Sequence, residues 1–432
     1  MIAWRRKLLV GDRLVEARQL QKEWCHVDPD VVAKQQLSAL QERWSDAVAN
    51  VPYYAELVAR GEAPQTIASL DAFTRDVPVL TRKDLIDHEA KFQRAVEPHH
   101  RLQTAGSTGE PLRFGCFKDE EAQHTGVQQW VARLSNGMSE SSKLFLLWGH
   151  SHLLGTGAVG YMRDKQRRAK DWLMGYKRVN AYLIDADLAA SYFDTMWRSR
   201  PEVIIGYSCA LDMFARYNMA AGRSAKDLGI KLCVACSENF PKPDSREILS
   251  AWLGCPVLME YGGVDFGVCA HEVAGETGYW TFPWSHIVEV DGGGQDGAML
   301  VTNLTHRYLP SFRYRNGDHL SGATCRSDGH VMRFNAIEGR INDVLEMPSG
   351  ASVHSVALFH CIHQEPVHSI QLAIKGHERR FRLVAAELPE DMEKRIRARL
   401  TDLHPDLADY PIDLVDDVAT NRAGKRRWIV YE

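Results

Sequence analysis

Apolar positions at two different spacings divide this chain. Leu37, Leu40, Trp44 and Val48 recur at three- and four-residue steps, which predicts a helix within residues 12–62, broken at Asn50-Val-Pro-Tyr-Tyr. Val77-Pro-Val-Leu-Thr-Arg-Lys-Asp-Leu reads as an extended piece running into a helix capped by Thr81. Residues 111–117 alternate like a strand, and Lys118 to Ser135 has helical spacing. Lys143-Leu-Phe-Leu-Leu-Trp148 is a continuous apolar run, suited to a strand buried on both faces. Further short strands are expected at 179–184, 203–206, 231–235 and 257–261, with helices near 188–198, 211–221 and 244–253. Strands alternating with helices imply α/β layers with parallel pairing.

From about Tyr279 the pattern becomes short β-rich segments with many glycines, as in a small antiparallel sheet or barrel. After Gly339 a unit remains with strand-like runs at 355–362 and 369–374, a charged helix at 390–403 and a last strand at 428–431. The expected architecture is α/β: a large N-terminal domain, residues 1–338, of α/β layers with a small β-barrel-like part, and a small α+β C-terminal domain, residues 339–432.

Composition narrows the class. With 45% hydrophobic and 25% charged residues, the 432-residue chain is ordinary for a globular protein. A net charge of -4 leaves no overall footprint for nucleic acid. Nine scattered cysteines, an odd number, argue against a disulfide framework and for a reducing compartment. Cys233 and Cys236 sit at the end of an apolar run and read as buried thiols; Cys269 with His271 lacks further spaced partners for a metal. The basic N-terminus has too short an apolar run for a signal peptide, and no stretch reaches the roughly 20 apolar residues of a membrane span. These features suit a cytoplasmic enzyme.

Candidate chemistry centres on Thr104-Ala-Gly106-Ser107-Thr108-Gly109. Glycine lets backbone approach a ligand closely, and hydroxyls with exposed N–H groups can cradle an anion. No Gly-Lys-Ser/Thr follows, so this is not a Walker A loop. Downstream come Ser237-Glu238-Asn239, Glu260-Tyr261-Gly262-Gly263-Val264-Asp265, Phe312-Arg-Tyr-Arg-Asn316-Gly-Asp318, Gly339-Arg340-Ile-Asn342-Asp343, and Gly424-Lys425. Each alone has a plain account as a turn or a solvated tail. A separate G-x-G-x-x-G at Gly155, Gly157 and Gly160 offers a dinucleotide reading. Against it stand the gap between Trp148 and Gly155 and the basic residues that follow.

Taken in order, these stretches resemble the adenylate-forming (AMP-forming) acyl ligases, in particular the phenylacetate–CoA ligase and CapK-like branch; the likeness runs from about residue 50 to the C-terminus. The resemblance implies ATP and Mg²⁺, with CoA as one acceptor. Thr104, Gly106, Ser107, Thr108 and Gly109 would hold the β- and γ-phosphates. Ser237, Glu238, Asn239, Tyr261 and Gly262 would border the adenine, and Asp318 the ribose. Arg340 would brace ribose or phosphate, Asp265 would hold the metal, and Lys425 would be the catalytic cation between carboxylate and α-phosphate. It also implies that the C-terminal domain is mobile and swings about a hinge at 339–343. His150, Tyr207 and Gly263, with Trp148 and His152, are candidates for the acyl pocket. The partners implied are a small carboxylic acid and either a thiol, CoA, or an amine, such as an amino-sugar or amino acid; a homodimer is compatible.

The chain departs from the family pattern at Val264, Asp265, Asn342 and Leu112, where relatives often carry threonine, glutamate, an acid and lysine. Two other readings therefore stand beside the ligase: a nicotinamide oxidoreductase using Gly155–Gly160, and a non-catalytic nucleotide-binding module.

Overall fold

The computed structural model describes residues 2–104, 112–149, 157–338, 344–362, 364–367, 369–376, 378–418 and 428–432. Its largest element is a nine-stranded sheet. Five neighbouring strands, Tyr176–Val179, Leu144–Leu147, Val203–Tyr207, Leu232–Cys236 and Val257–Gly263, run parallel. The sheet then continues antiparallel through Gly267–Glu272, Tyr279–Thr281, Val331–Phe334 and Thr324–Cys325.

The unbroken apolar runs are explained by burial on both faces. Leu144, Leu146, Val203, Ile205, Leu232 and Val234 meet Leu14, Ala17, Trp130 and Val131 of the helices Ile2–Gln21 and Lys118–Ser135. Their neighbours Phe145, Leu147, Ile204, Cys233 and Ala235 join a second cluster with Leu211, Phe214, Leu249 and Trp252, from helices Ser208–Ala220 and Ser245–Leu253. Each such side chain contributes about 1.5–3 kcal/mol on leaving water. Cys233 and Cys236 are two of these buried residues, and burial raises both thiols.

The β-rich region past Tyr279 is divided rather than closed. Part of it extends the large sheet; the rest forms an open five-stranded sheet in the order Leu80–Thr81, Tyr314–Ser321, Gly297–Asn303, His286–Val290, with Ala336–Glu338 also on Tyr314–Ser321. Three local expectations are corrected. Residues 179–184 are not one strand: Asn180 takes the Tyr182 N–H on its side chain, and Tyr176–Val179 and Leu183–Ile184 go to different sheets. Ser355–Ile362 is a helix, because its buried positions Ala357, Leu358 and Ile362 follow helical steps that a short apolar run conceals. Asn316-Gly-Asp318 is not a turn but a bulge inside the strand Tyr314–Ser321, with Gly317 at φ 91 and a register shift opposite.

Near the C-terminus, a four-stranded sheet (Ile412–Leu414, Glu378–Val384, Ser369–Lys375, Ile429–Tyr431) packs with the helix Glu390–Leu403, which buries Met392, Ile396 and Leu400. Backbone pairing also links the segment after residue 343 to the body: Ser352 and Val353 pair with Ile184 and Leu183, and Tyr217 Oη donates to Gly350 O at 2.9 Å.

The helix Ile2–Gln21 is attached through one buried cation. Arg6 Nε donates to Met174 O at 2.7 Å, Nη1 to Glu140 O at 2.7 Å and Nη2 to Ser142 O at 2.6 Å, with the Trp130 and Tyr176 rings beside it. Arg6→Met leaves those carbonyls without their donor, a loss of roughly 3 kcal/mol. Amide hydrogen exchange across Ile2–Gln21 should then accelerate about 100-fold, while the strand Val203–Tyr207 keeps its protection.

Candidate active site

The candidate residues gather at the carboxyl ends of the parallel strands, where open α/β sheets bind ligands. Leu144–Leu147 ends at Trp148, Val203–Tyr207 at Tyr207, Leu232–Cys236 at Ser237, and Val257–Gly263 at the Tyr261-Gly-Gly hairpin. The hairpin needs its glycines. A Cβ on Gly262 would lie 2.4 Å from Gly267 O, and one on Gly263 2.6 Å from Asp265 Oδ1. The tight return brings both Asp265 and Tyr261 within hydrogen-bonding reach of the strand Tyr314–Ser321.

Two hydrogen bonds define the site. Tyr261 Oη donates to Asp318 Oδ2 at 2.8 Å, and Tyr314 Oη donates to Asp265 Oδ2 at 2.9 Å. Burial, and then the adjacent carboxylate, raises each phenol above its ordinary value, so both remain protonated donors. Asn316 completes the Asp318 side: Nδ2 donates to Tyr261 Oη at 2.8 Å, and Oδ1 accepts the Asp318 N–H at 3.0 Å. The bulge at Gly317 is what turns Asp318 toward Tyr261. Both aspartates are half-buried.

Arg82 joins the second carboxylate to the glycine loop. It hydrogen-bonds Tyr314, the partner of Asp265, and its Nη2 donates to Thr104 Oγ1 at 3.1 Å. Thr104 in turn closes the base of the loop, its N–H donating to Leu112 O at 3.0 Å and its Oγ1 accepting the Leu112 N–H at 3.0 Å. The Thr81–Asp84 capping box starts the short helix that carries Arg82.

Sequence reasoning quoted Arg82 within Val77–Leu85 but gave it no role, and it passed over Tyr314 and Asn316. A signal was available, since the loop offers Leu112 where a cation would serve phosphate and Arg82 is the basic residue after the Thr81 cap. Its meeting with Thr104 depends on pairing between segments far apart in sequence.

The other candidates divide. Glu238 is buried and turned inward, its Oε1 accepting the Cys209 N–H at 3.1 Å and its carbonyl accepting Ser208 Oγ at 2.7 Å. Its carboxylate thus holds the first turn of Ser208–Ala220, where a negative charge meets the helix dipole. Ser237 is exposed with φ 73, and Asn239 is half-buried beyond it. Tyr207 is buried; its ring centroid lies 4.8 Å from Trp148 and 6.2 Å from Tyr182, and its hydroxyl bonds Tyr182. Gly149 passes under the Tyr182 ring, 2.1 Å from where a Cβ would stand.

Gly106, Ser107, Thr108, Gly109, His150, His152, Gly155, Arg340, Asn342 and Lys425 lie outside the described residues. Gly157 and Gly160 fall within the helix Gly157–Met174 rather than in a phosphate-binding turn. No group of three or more His, Cys, Asp or Glu side chains among the described residues could hold a metal by itself. His271, considered with Cys269, is buried and its Nδ1–H donates to Glu272 O at 2.6 Å. Asp265 alone suits an ion whose remaining ligands are waters and substrate phosphates.

No protein-family model matches the chain. In sequence it is 25% identical over 381 residues to the phenylacetate-coenzyme A ligase of Escherichia coli, across 81% of this chain and 83% of that protein. It is 23% identical over 339 residues to the Thermus thermophilus phenylacetate-coenzyme A ligase, across 73% of each. In sequence the chain is thus similar to the phenylacetate-coenzyme A ligases. Among solved structures, the chain shares its fold with 2-hydroxyisobutyryl-CoA ligase in complex with 2-HIB-AMP and CoA in the thioesterification state, at TM-score 0.60, 17% identity, 94% of this chain and 91% of that one. The same neighbour in its postadenylation state superposes at TM-score 0.57 with 16% identity, covering 94% of this chain and 90% of that one.

Proposed function

We propose that this protein uses ATP to activate a carboxylic acid as its acyl-adenylate and then passes the acyl group to the thiol of CoA. The observation that carries this reading is the pair of tyrosine-held aspartates at the strand ends, bridged through Arg82 to the base of the glycine loop. It is supported by relatives named as coenzyme A ligases and by a fold neighbour holding an acyl-AMP and CoA.

In the first half-reaction a carboxylate oxygen attacks the α-phosphorus, and the bond to pyrophosphate breaks. Two anions must approach, so cations have to be in place beforehand. Arg82 supplies one beside the loop of residues 105–111, compensating for Leu112. Lys425 supplies another at the reacting centre, and Arg340 braces the ribose side. Asp318 accepts hydrogen bonds from ribose hydroxyls through its outer oxygen, while Tyr261 fixes its orientation. Asp265 would hold Mg²⁺ in the same manner, with Tyr314 fixing it; when bound, that ion neutralises phosphate charge. In the second half-reaction the thiol sulfur, having lost its proton, attacks the acyl carbon; the carbon–oxygen bond to AMP breaks and the thioester leaves. Trp148, Tyr182 and Tyr207 form a stiff aromatic wall that suits an acid with a compact aromatic or apolar body.

Pyrophosphate exchange over a library of aromatic, aliphatic and amino acids should show acid-dependent exchange, with hydroxamate formed on trapping. CoA should consume the adenylate faster than amino-sugars or amino acids do. Silence across the whole library would remove the proposal. Lys425→Ala should slow exchange by about 100-fold, by analogy with the loss of one preorganised donor, while leaving thermal unfolding unchanged.

Arg82→Ala should raise the KM for ATP about tenfold, the scale of one charge-assisted hydrogen bond, with partial recovery in Arg82→Lys. An unchanged KM in Arg82→Ala would confine that residue to holding the loop.

A further inference from the structure

Exposed hydrophobic side chains in this protein are not scattered. Trp4 and Leu8, on Ile2–Gln21, and Tyr161, Met162 and Trp172, on Gly157–Met174, are each 61–65% exposed. The two helices cross there: Arg5 lies 4.2 Å from the centroid of the Trp172 ring, and Arg6 binds the carbonyl of Met174. Large apolar side chains left together in water mark a surface with an occupant.

The helix Gly157–Met174 is built inside out. Its half-buried side carries Asp164, Arg167 and Asp171, tied up by Arg167–Asp164 at 2.7 Å and Arg178–Asp171 at 3.0 Å. The helical period puts Tyr161, Met162, Lys165, Ala169 and Trp172 outward, with Arg163 and Lys170 on one flank and Arg168 on the other. Lys165 stands over the Tyr161 ring at 5.2 Å. These outward side chains take no part in the core, which the helix joins at Met174, and they stay exposed to solvent.

Charge decides what that occupant is. Each of the two helices holds five basic and two acidic residues, so together they carry +6 in a chain whose net charge is -4. A two-fold pairing of this face with itself would set like charges against each other. Tryptophan and tyrosine favour the headgroup level of a bilayer, and lysine and arginine are drawn to anionic lipid. No helix among the described residues is long and apolar enough to cross a membrane, which leaves surface attachment. We propose that the face formed by Ile2–Gln21 and Gly157–Met174 docks the protein on an anionic phospholipid bilayer, its rings inserted among the headgroups and its cations on the lipid phosphates.

Sedimentation of the full chain with vesicles tests this. Vesicles of phosphatidylcholine with roughly a quarter phosphatidylglycerol should carry the protein down, and pure phosphatidylcholine should not. Raising salt from about 0.05 to 0.5 M should weaken the binding without abolishing it, because the inserted rings are not screened. The pair Trp4→Ala and Trp172→Ala should lower the partition coefficient about tenfold, and Arg163→Glu with Lys165→Glu and Lys170→Glu should remove the preference for anionic lipid. Both sets alter exposed side chains, and unchanged circular dichroism melts would show the fold intact. Absence of binding to anionic vesicles at low salt would overturn the proposal. So would equal binding by the tryptophan variant, or light scattering that shows a dimer which those tryptophan substitutions dissociate.

Discussion

A backbone pairing only two residues long sets the geometry of the candidate site. Leu80 and Thr81 run parallel to Tyr314 and Arg315, and the Leu80 N–H donates to Arg313 O. Arg313 reinforces this with Nη1 on Val77 O at 2.7 Å and an ion pair to buried Glu289. Its φ of 48 is a conformation that costs a non-glycine residue some strain, which the surrounding bonds repay. Without this strap, Arg82 would have no fixed relation to Tyr314, and the base of the glycine loop would be independent of the sheet that carries Asp265 and Asp318. Three segments far apart in sequence are thereby joined by hydrogen bonds at one place.

The chemistry there follows from which groups can ionise. The two phenols are held protonated, so each can only donate to its aspartate, and neither competes for a proton during turnover. An aspartate with one oxygen fixed by a tyrosine hydroxyl is set in a defined orientation. Among the described residues, Arg82 and the acceptor oxygens of Asp265 and Asp318 are held by hydrogen bonds, a fixed arrangement of the kind that lowers reorganisation as charge develops.

Much of the parallel sheet was legible because its signal is local. The runs at Leu144–Leu147 and Leu232–Cys236 are apolar throughout, and Thr81, Asp185 and Asp244 occupy the N-cap positions of the helices that follow them. Where the reading failed, two local patterns were degenerate or a distant partner decided. Ser355–Ile362 fits a buried strand as well as a buried helix until its neighbours are known. Asn316-Gly-Asp318 has turn composition, but the strand pairing on either side of it makes it a bulge. At the site, residue type identified Asp265, Asp318 and Tyr261, whereas the bonds that join them to Tyr314, Asn316 and Arg82 cross between segments and leave no trace in spacing. Glu238 shows the complementary limit: nothing local says that the N-terminus of the helix Ser208–Ala220 will claim its carboxylate.

The link between the body and the last part of the chain bears on how two half-reactions could share one site. Val353 is fully buried, yet only Ser352 and Val353 pair with the body strand Leu183–Ile184. Two registered residues and the bond from Tyr217 amount to a few net hydrogen bonds, each of about 0.5–1.5 kcal/mol. Buried apolar side chains add to these bonds, since Val353, Leu358 and Ile362 share one core cluster with Ile184 and Leu211. Leu183–Ile184 also follows directly on Tyr182, whose hydroxyl meets Tyr207 in the aromatic wall. The aromatic wall and the pairing of Val353 are therefore one residue apart along a single backbone, so the position of one constrains the other.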